Sequence, residues 1–239
     1  MLVTGGRGGL GSRVGAAFQA EGAHIVAADV IPGDAGRRVA NNGAAKVLHI
    51  QADTASSSGA QAAVHAALNE FGRLDVLVNN AGINRWVEFT DLDGMSDDLW
   101  DEILAVDLKG PWLCAKAAAP VMQRQQRGRI ISVASIAGIR PSGSSIAYCI
   151  AKAGVIHLTR CLAVALAPHV LVNAVAPGLM EGTGMTAQLA QHFIDETKKV
   201  ALLGKSSPPD DVAEQIVAFA KNDTITGQTL PVDAGIVFP

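Results

Sequence analysis

Aromatic side chains are scarce in this chain. Six phenylalanines, three tryptophans and a single tyrosine make up 4% of its 239 residues. Charge is also sparse: Asp, Glu, Lys and Arg together reach 17%, with a formal net charge of −3. A chain so poor in basic charge has no electrostatic footprint for nucleic acid or an anionic membrane surface. No apolar run comes near the roughly 18 residues of a membrane span. The start, MLVTGGRGG, lacks a basic stretch followed by an apolar one, so no secretory signal is expected. The three cysteines, Cys114, Cys149 and Cys161, show no CxxC spacing and cannot all pair, which places the chain in a reducing cytoplasm. The six histidines are scattered without an HExxH pattern, so no metal site is assigned.

What the chain does have is apolar bulk, 49% of residues, with a mean hydropathy of +0.27. Runs at 2–4, 23–29, 45–50, 74–79, 128–135, 169–176 and 228–233 read as strands, most of them too uniformly apolar for a sheet with one wet face. Helix-like patterns lie between them at about 9–21, 34–42, 57–71, 97–125, 147–167 and 209–221. The last opens with SSPPDD, which puts proline in the first turn and acids at the positive end of the helix dipole. This alternation predicts an α/β fold: one domain over 1–239, built on a doubly wound parallel sheet of about seven strands with helices on both faces. The least regular stretch, 178–207, follows a strand end and is long for a connection, the usual profile of a functional loop.

The first strand runs into a glycine-rich turn, LVTGGRGGLGSRVGAAF, with the spacing Thr4-Gly5-xxx-Gly9-x-Gly11. Glycines let backbone approach a pyrophosphate, and the helix that follows offers N–H groups and a positive dipole end. Read alone, such a loop is equally a tight strand-to-helix turn. Asp29 ends the next strand, 18 residues after Gly11, where an acid can accept hydrogen bonds from ribose hydroxyls and repel a 2′-phosphate. That position favours NAD over NADP. Arg7, in the loop itself, is the counter-signal, since a cation there can meet a phosphate.

The lone tyrosine lies in SIAYCIAKAG. Tyr148 and Lys152 are four residues apart, on one face of a helix. With the glycine loop, NNAG at 79–82, Ser135 at a strand end and PG at 177–178, the ordered set resembles the short-chain dehydrogenase/reductase family over nearly the whole chain. The resemblance implies a Rossmann-like domain, hydride exchange between a nicotinamide and a carbonyl carbon, and roles for named residues. Tyr148 resembles the general acid/base, a phenol whose pKa of about 10 must fall to work near neutrality. Lys152 and the nicotinamide's charge would favour phenolate, and Lys152 would also hold the nicotinamide ribose. Ser135 matches the serine that binds the substrate oxygen. Cofactor contacts are implied for Gly5, Arg7, Gly9, Leu10 and Gly11, for Asp29 and Val30, for Asp53 and Thr54 at the adenine, for Asn80, Ala81 and Gly82, and for Pro177, Gly178, Met180 and Thr183, besides Tyr148 and Lys152. Gly182 takes the slot where the family usually has threonine, one place before Thr183. Read without the family, Asp53 is a helix N-cap, and Asn79 and Asn80 form a strand-end turn.

The family commonly has Asn in a VNLKG-like stretch, holding a water that relays protons from the lysine; here the stretch reads VDLKG, with Asp107 in that slot. An ionised Asp107 would keep Lys152 cationic and partly cancel the field that lowers the phenol pKa. The expected result is a pH–rate profile shifted to alkali relative to Asp107→Asn. Only Met1 to Val3 precede Thr4, fewer residues than family members usually carry, so fraying of the first strand is expected.

Trp86, Met185, Leu189 and Phe193 read either as core or as walls of the substrate mouth, with 178–207 as a lid over a mostly apolar, small to medium substrate. Arg85 and Arg140 read as surface ion pairs in preference to substrate anchors. The two long central helices, with small and apolar residues, suggest a homo-oligomer, tetramer or dimer. The reading that follows is an NAD(H)-dependent oxidoreductase for a secondary alcohol and a ketone. Its rivals are an NADPH-dependent 3-oxoacyl-type reductase and a dinucleotide-sensing protein without turnover.

Overall fold

The apolar runs become the strands of one sheet in the computed structural model, which describes residues 1–32, 38–42, 45–184, 186, 189 and 191–238. Seven strands run parallel: β1 (Leu2–Thr4), β2 (Ile25–Asp29), β4 (Ala45–Gln51), β5 (Val76–Asn79), β6 (Gly128–Val133), β7 (Val170–Pro177) and β8 (Thr229–Val232). The order across the sheet is β3-β4-β2-β1-β5-β6-β7-β8. β1 pairs along its whole length with β2, and with β5 on its other side.

Successive side chains on a strand point to opposite faces, and both faces are covered. Leu2, Val26, Leu77 and Ile130 pack with α2 (Ser57–Phe71), α4 (Gly110–Arg124) and α5 (Ile146–Leu166). Their neighbours Val3, Ile25, Val78 and Ile131 pack with α1 (Gly9–Ala20) and α7 (Pro209–Lys221). Each large apolar side chain buried this way contributes about 1.5–3 kcal/mol. α7 begins as its sequence predicts, with Pro209 in the first turn and Asp210 and Asp211 at the dipole's positive end.

Two elements differ from expectation. The stretch expected as a helix over 34–42 contains a strand, β3 (Arg38–Asn42), antiparallel to β4 in the register Asn42↔Ala45; residues 33–37 lie outside the described ones. The open edge of β4 offers backbone pairing that a weakly periodic segment takes in preference to helix. The helix expected over 97–125 is interrupted: α3 (Asp97–Leu104) passes into a π turn over Ala105–Lys109 before α4. Pro111 has no N–H to give the carbonyl of residue 107, and Gly110 N–H reaches back to Ala105 O instead.

α5 is long and apolar enough to cross a membrane by length and composition, with a hydropathy of 1.6, although its sequence holds no uninterrupted apolar run of that length. Half of that span is buried in the protein, and α5 is a core helix here. The three cysteines are free thiols.

Candidate active site

In a parallel sheet, loops at the carboxyl ends of the strands converge where the strand order reverses, here between β1 and β5. A cavity of about 590 Å³ opens there. Of the residues singled out above for cofactor or catalysis, all line it except Arg7 and Asp107.

One end is built by the glycine turn. Gly5 takes a left-handed φ of 61°, and a Cβ on Gly11 would stand 2.1 Å from the Gly5 carbonyl oxygen, so the turn closes only with glycine at 11. α1 starts at Gly9 after Gly8, with no side chain capping its free N–H groups. That leaves an anion cradle facing the cavity. Asn80 ties this turn to β5: its Nδ2 donates to Thr4 O at 2.9 Å and Gly5 O at 3.1 Å, and Thr4 Oγ1 accepts from the N–H of Asn80 and Ala81. Asp29 sits at the same end. Its Oδ2 accepts from Arg7 N–H at 3.0 Å and its Oδ1 from Ile31 N–H at 3.1 Å. Arg7 therefore contributes backbone, while its side chain lies off the cavity wall. The helix-cap reading of Asp53 is corrected: Ser56 caps α2, and Asp53 turns the chain just before it by accepting from Ala55 N–H at 2.9 Å. Open backbone N–H groups, a turn that closes only with glycine at 11 and the buried Asp29 carboxylate beside it fit a nicotinamide dinucleotide.

The other end holds Ser135, Tyr148 and Lys152. Ser135 ends the loop after β6 and caps a short 3₁₀ turn by accepting from Ala137 N–H at 3.1 Å. Ser145 caps α5 by accepting from Tyr148 N–H at 3.2 Å, which fixes Tyr148 in the first turn; the sequence reading passed over this serine. Lys152 follows one turn on, its Nζ 5.4 Å from the Tyr148 ring centre and donating to Val133 O at 3.2 Å. Asp107 lies behind it, fully buried on the π turn, with Oδ1 accepting from Ile83 N–H at 2.7 Å and Oδ2 3.5 Å from Lys152 Nζ.

These neighbours set the titrations. Burial pushes the Tyr148 phenol above its usual range; Lys152 opposes this, Asp107 adds to it, and the Ser135 hydroxyl favours phenolate. The net direction in the protein alone is upward, so Lys152 has the expected sign but does not lower the phenol by itself. Burial alone would lower Lys152, but the nearby Asp107 carboxylate and the phenol oxygen raise it overall. Burial raises Asp107, against the pull of Lys152 and the Ile83 N–H.

The segment after β7 crosses the glycine turn. Thr183 is buried, its Oγ1 donates to Met180 O at 3.1 Å, and a Cβ added to Gly9 would lie 3.2 Å from it. Further along is α6 (Gln191–Val200), where Phe193 meets Trp86 edge to face, ring centres 5.1 Å apart. These two are neighbours. Leu189 is half-buried and turns back on Thr186, while Met185 lies outside the described residues. The cavity also takes Ile31, Ile83, Glu102 and Val106, which the sequence reading missed. Glu102 and Val106 face the cavity on either side of the start of the π turn, which periodicity does not reveal. The expectation of surface ion pairs for Arg85 and Arg140 is corrected: neither has a carboxylate within 4.0 Å among the described residues.

A family model described as enoyl-(acyl carrier protein) reductase matches residues 5–237. A putative ketoacyl reductase 2 of the granaticin polyketide synthase from Streptomyces violaceoruber is 37% identical, over 98% of this chain and 94% of that protein. A galactitol 2-dehydrogenase from Agrobacterium fabrum is 36% identical, over 98% and 95%. The crystal structure of a short-chain dehydrogenase/reductase (glucose/ribitol dehydrogenase) from Brucella melitensis superposes with a TM-score of 0.87 at 29% identity, covering 100% of this chain and 96% of that one.

Proposed function

The chain belongs to the short-chain dehydrogenase/reductase family, and from that premise we propose that it is an NAD(H)-dependent oxidoreductase interconverting a secondary alcohol and a ketone. The observation that carries this reading is one cavity with the glycine turn and Asp29 at one end and Ser135, Tyr148 and Lys152 at the other. A bound dinucleotide supplies the hydride acceptor or donor at its nicotinamide ring and, when oxidised, a positive charge.

The rest falls to the chain. Gly9 to Gly11 and the start of α1 receive the pyrophosphate. Asp29 grips the ribose hydroxyls, which favours NAD. Ser135 hydrogen-bonds the substrate oxygen, and Tyr148 holds or releases the proton at its phenol oxygen. Lys152, fixed between Val133 O and Asp107, favours phenolate and reaches the nicotinamide ribose, with Asp107 at the far end of the proton path. The 178–207 segment serves as the lid, with Thr183 over the cofactor. Exposed Trp112 on α4 and Ile150 and Val164 on α5 support a homo-oligomer through those helices. The three free cysteines support a cytoplasmic protein, and the low charge supports one without nucleic-acid or membrane partners.

A second reading, an NADPH-dependent reductase of 3-oxoacyl groups, is favoured by the ketoacyl reductase among the relatives. Titration with NADH and NADPH, followed by quenching of the tryptophans, separates the two. NADH binding at least tenfold tighter, about 1.4 kcal/mol, upholds the first reading, and an NADPH preference upholds the second. Tyr148→Phe should abolish turnover and leave cofactor affinity within about twofold; turnover that survives removes Tyr148 from the chemistry, and a wild-type protein that binds cofactor but turns over no carbonyl substrate is a sensor.

A further inference from the structure

The turn that carries Asp107 is wider than the helices on either side of it. In an α-helix each N–H reaches the carbonyl four residues back. Here Gly110 N–H reaches Ala105 O, five back. Such turns are rare inside helices and gather at functional sites. Pro111 stands at the exit. It has no N–H to give the Asp107 carbonyl, and in helical register its ring would clash with that carbonyl. Pro111 is buried, and its own carbonyl accepts from Asn79 Nδ2 at 3.4 Å, which also donates to Ser132 Oγ at 3.3 Å. The exit of the turn is therefore tied to β5 and β6. Leu108, next to Asp107, packs over Gly154 of α5, where an added Cβ would stand 2.9 Å from its methyl carbons.

From this turn the Asp107 carboxylate reaches the catalytic end. It is fully buried, with Oδ1 held by Ile83 N–H at 2.7 Å and Oδ2 3.5 Å from Lys152 Nζ. The elements packed against the turn are α3, α4 and α5. The acids of α3, Lys109 on the turn, Lys116 and Arg124 on α4, and His157 and Arg160 on α5 are exposed. Cys114 of α4 is a buried thiol pushed up to about 12 and stays uncharged. Lys152 is the charge that acts on the carboxylate, and the Tyr148 phenol, with Ser135 and Cys149 beside it, feels both.

We propose that Pro111 is a positioning residue: by denying the Asp107 carbonyl its helical N–H, it holds the π turn that aims the Asp107 carboxylate at Lys152. The consequence for turnover rests on the oxidoreductase reading; the geometry does not. With an N–H at 111 the turn can close into α-helix, and the carboxylate leaves Lys152.

The single tyrosine makes the test direct, since phenolate absorbance in this chain reports Tyr148 alone. It is followed against pH in the free protein and in the protein saturated with whichever oxidised dinucleotide binds. The chains compared are the wild type, Asp107→Asn, Pro111→Ala and the double variant. The Asp107 carboxylate pushes the phenol up, so Asp107→Asn should move the midpoint towards acid. Pro111→Ala should give at least half of that shift, and should add nothing to it in the double variant. Pro111→Val supplies the same N–H with bulk nearer that of proline; it should behave alike, and it replaces the alanine variant if that one does not fold. A purely structural role would lower the melting temperature and leave the midpoint in place. Three results overturn the inference: no shift in Asp107→Asn, wild-type midpoints in the Pro111 variants, or a Pro111 shift undiminished without the carboxylate. Turnover is scored separately. Midpoints that move as expected in a protein that reduces no ketone and oxidises no alcohol would sink the oxidoreductase reading and leave the aimed carboxylate standing; turnover with unmoved midpoints would do the reverse.

Discussion

At the glycine-turn end of the cavity, Thr4, Asp29 and Asn80 commit their polar atoms to neighbouring backbone. On the loop after β5 and the loop after Ser135, Asn84 Oδ1, Arg140 Nε and Ser144 Oγ have no hydrogen-bond partner among the described residues. The first end is held together by its own hydrogen bonds; the second keeps polar atoms unpaired. A cofactor common to every turnover rewards a site whose geometry is already fixed. A substrate site gains discrimination when its buried polar groups stay unpaired with the wrong molecule. Between the two ends lies a third arrangement, the buried Lys152–Asp107 ion pair, its Oδ2 3.5 Å from Nζ without a hydrogen bond.

Each part of that comparison can be broken separately. The largest effect is expected at the buried pair. Asp107→Ala leaves Lys152 buried without its partner and should cost about 3–5 kcal/mol of stability, read in urea unfolding. Asp107→Asn keeps the shape and removes the charge. The carboxylate pushes the Tyr148 phenol up, so its removal should lower the phenol pKa and move the alkaline-rising limb of the pH–rate profile towards acid; coincident profiles would mean the carboxylate does not act on the phenol.

Next is the preformed end. Gly11→Ala drives a methyl into the Gly5 carbonyl and should cost about 1–3 kcal/mol, with cofactor titration showing loss of binding. A variant that binds NADH normally would show that the turn adjusts, and that this end is not fixed in advance. Asp29→Ser should erase a dinucleotide preference of about tenfold, near 1.4 kcal/mol, by titration with both cofactors. The smallest effect is expected at the cap that sets Tyr148. Ser145→Ala should cost about 1 kcal/mol, a fall of about 2–4 °C in Tm for a domain of this size, measured by thermal melt, with kcat falling more than KM changes.

Much of this was written locally. Strands β1, β2 and β4 to β8 follow apolar runs that only a doubly covered sheet can bury. α2 and α7 match the periodic segments at 57–71 and 209–221. The glycine spacing, Asp29 and the Tyr148–Lys152 step were legible because each depends on neighbours within a turn or two of chain. β3 was not, because its partner is an open strand edge that helix periodicity does not register. The π turn escaped notice because a missing N–H at Pro111 shifts the helix by one residue without changing its apolar pattern.

The sequence by itself determined the layered sheet, the glycine turn and the Tyr148–Lys152 step, because side-chain period, glycine's freedom and helical spacing are local properties. Only the tertiary structure decided that Asp107 lies sealed against Lys152 and that burial outweighs Lys152 at the phenol. Desolvation and hydrogen-bond satisfaction depend on atoms tens of residues apart, and those meet only when the chain is folded.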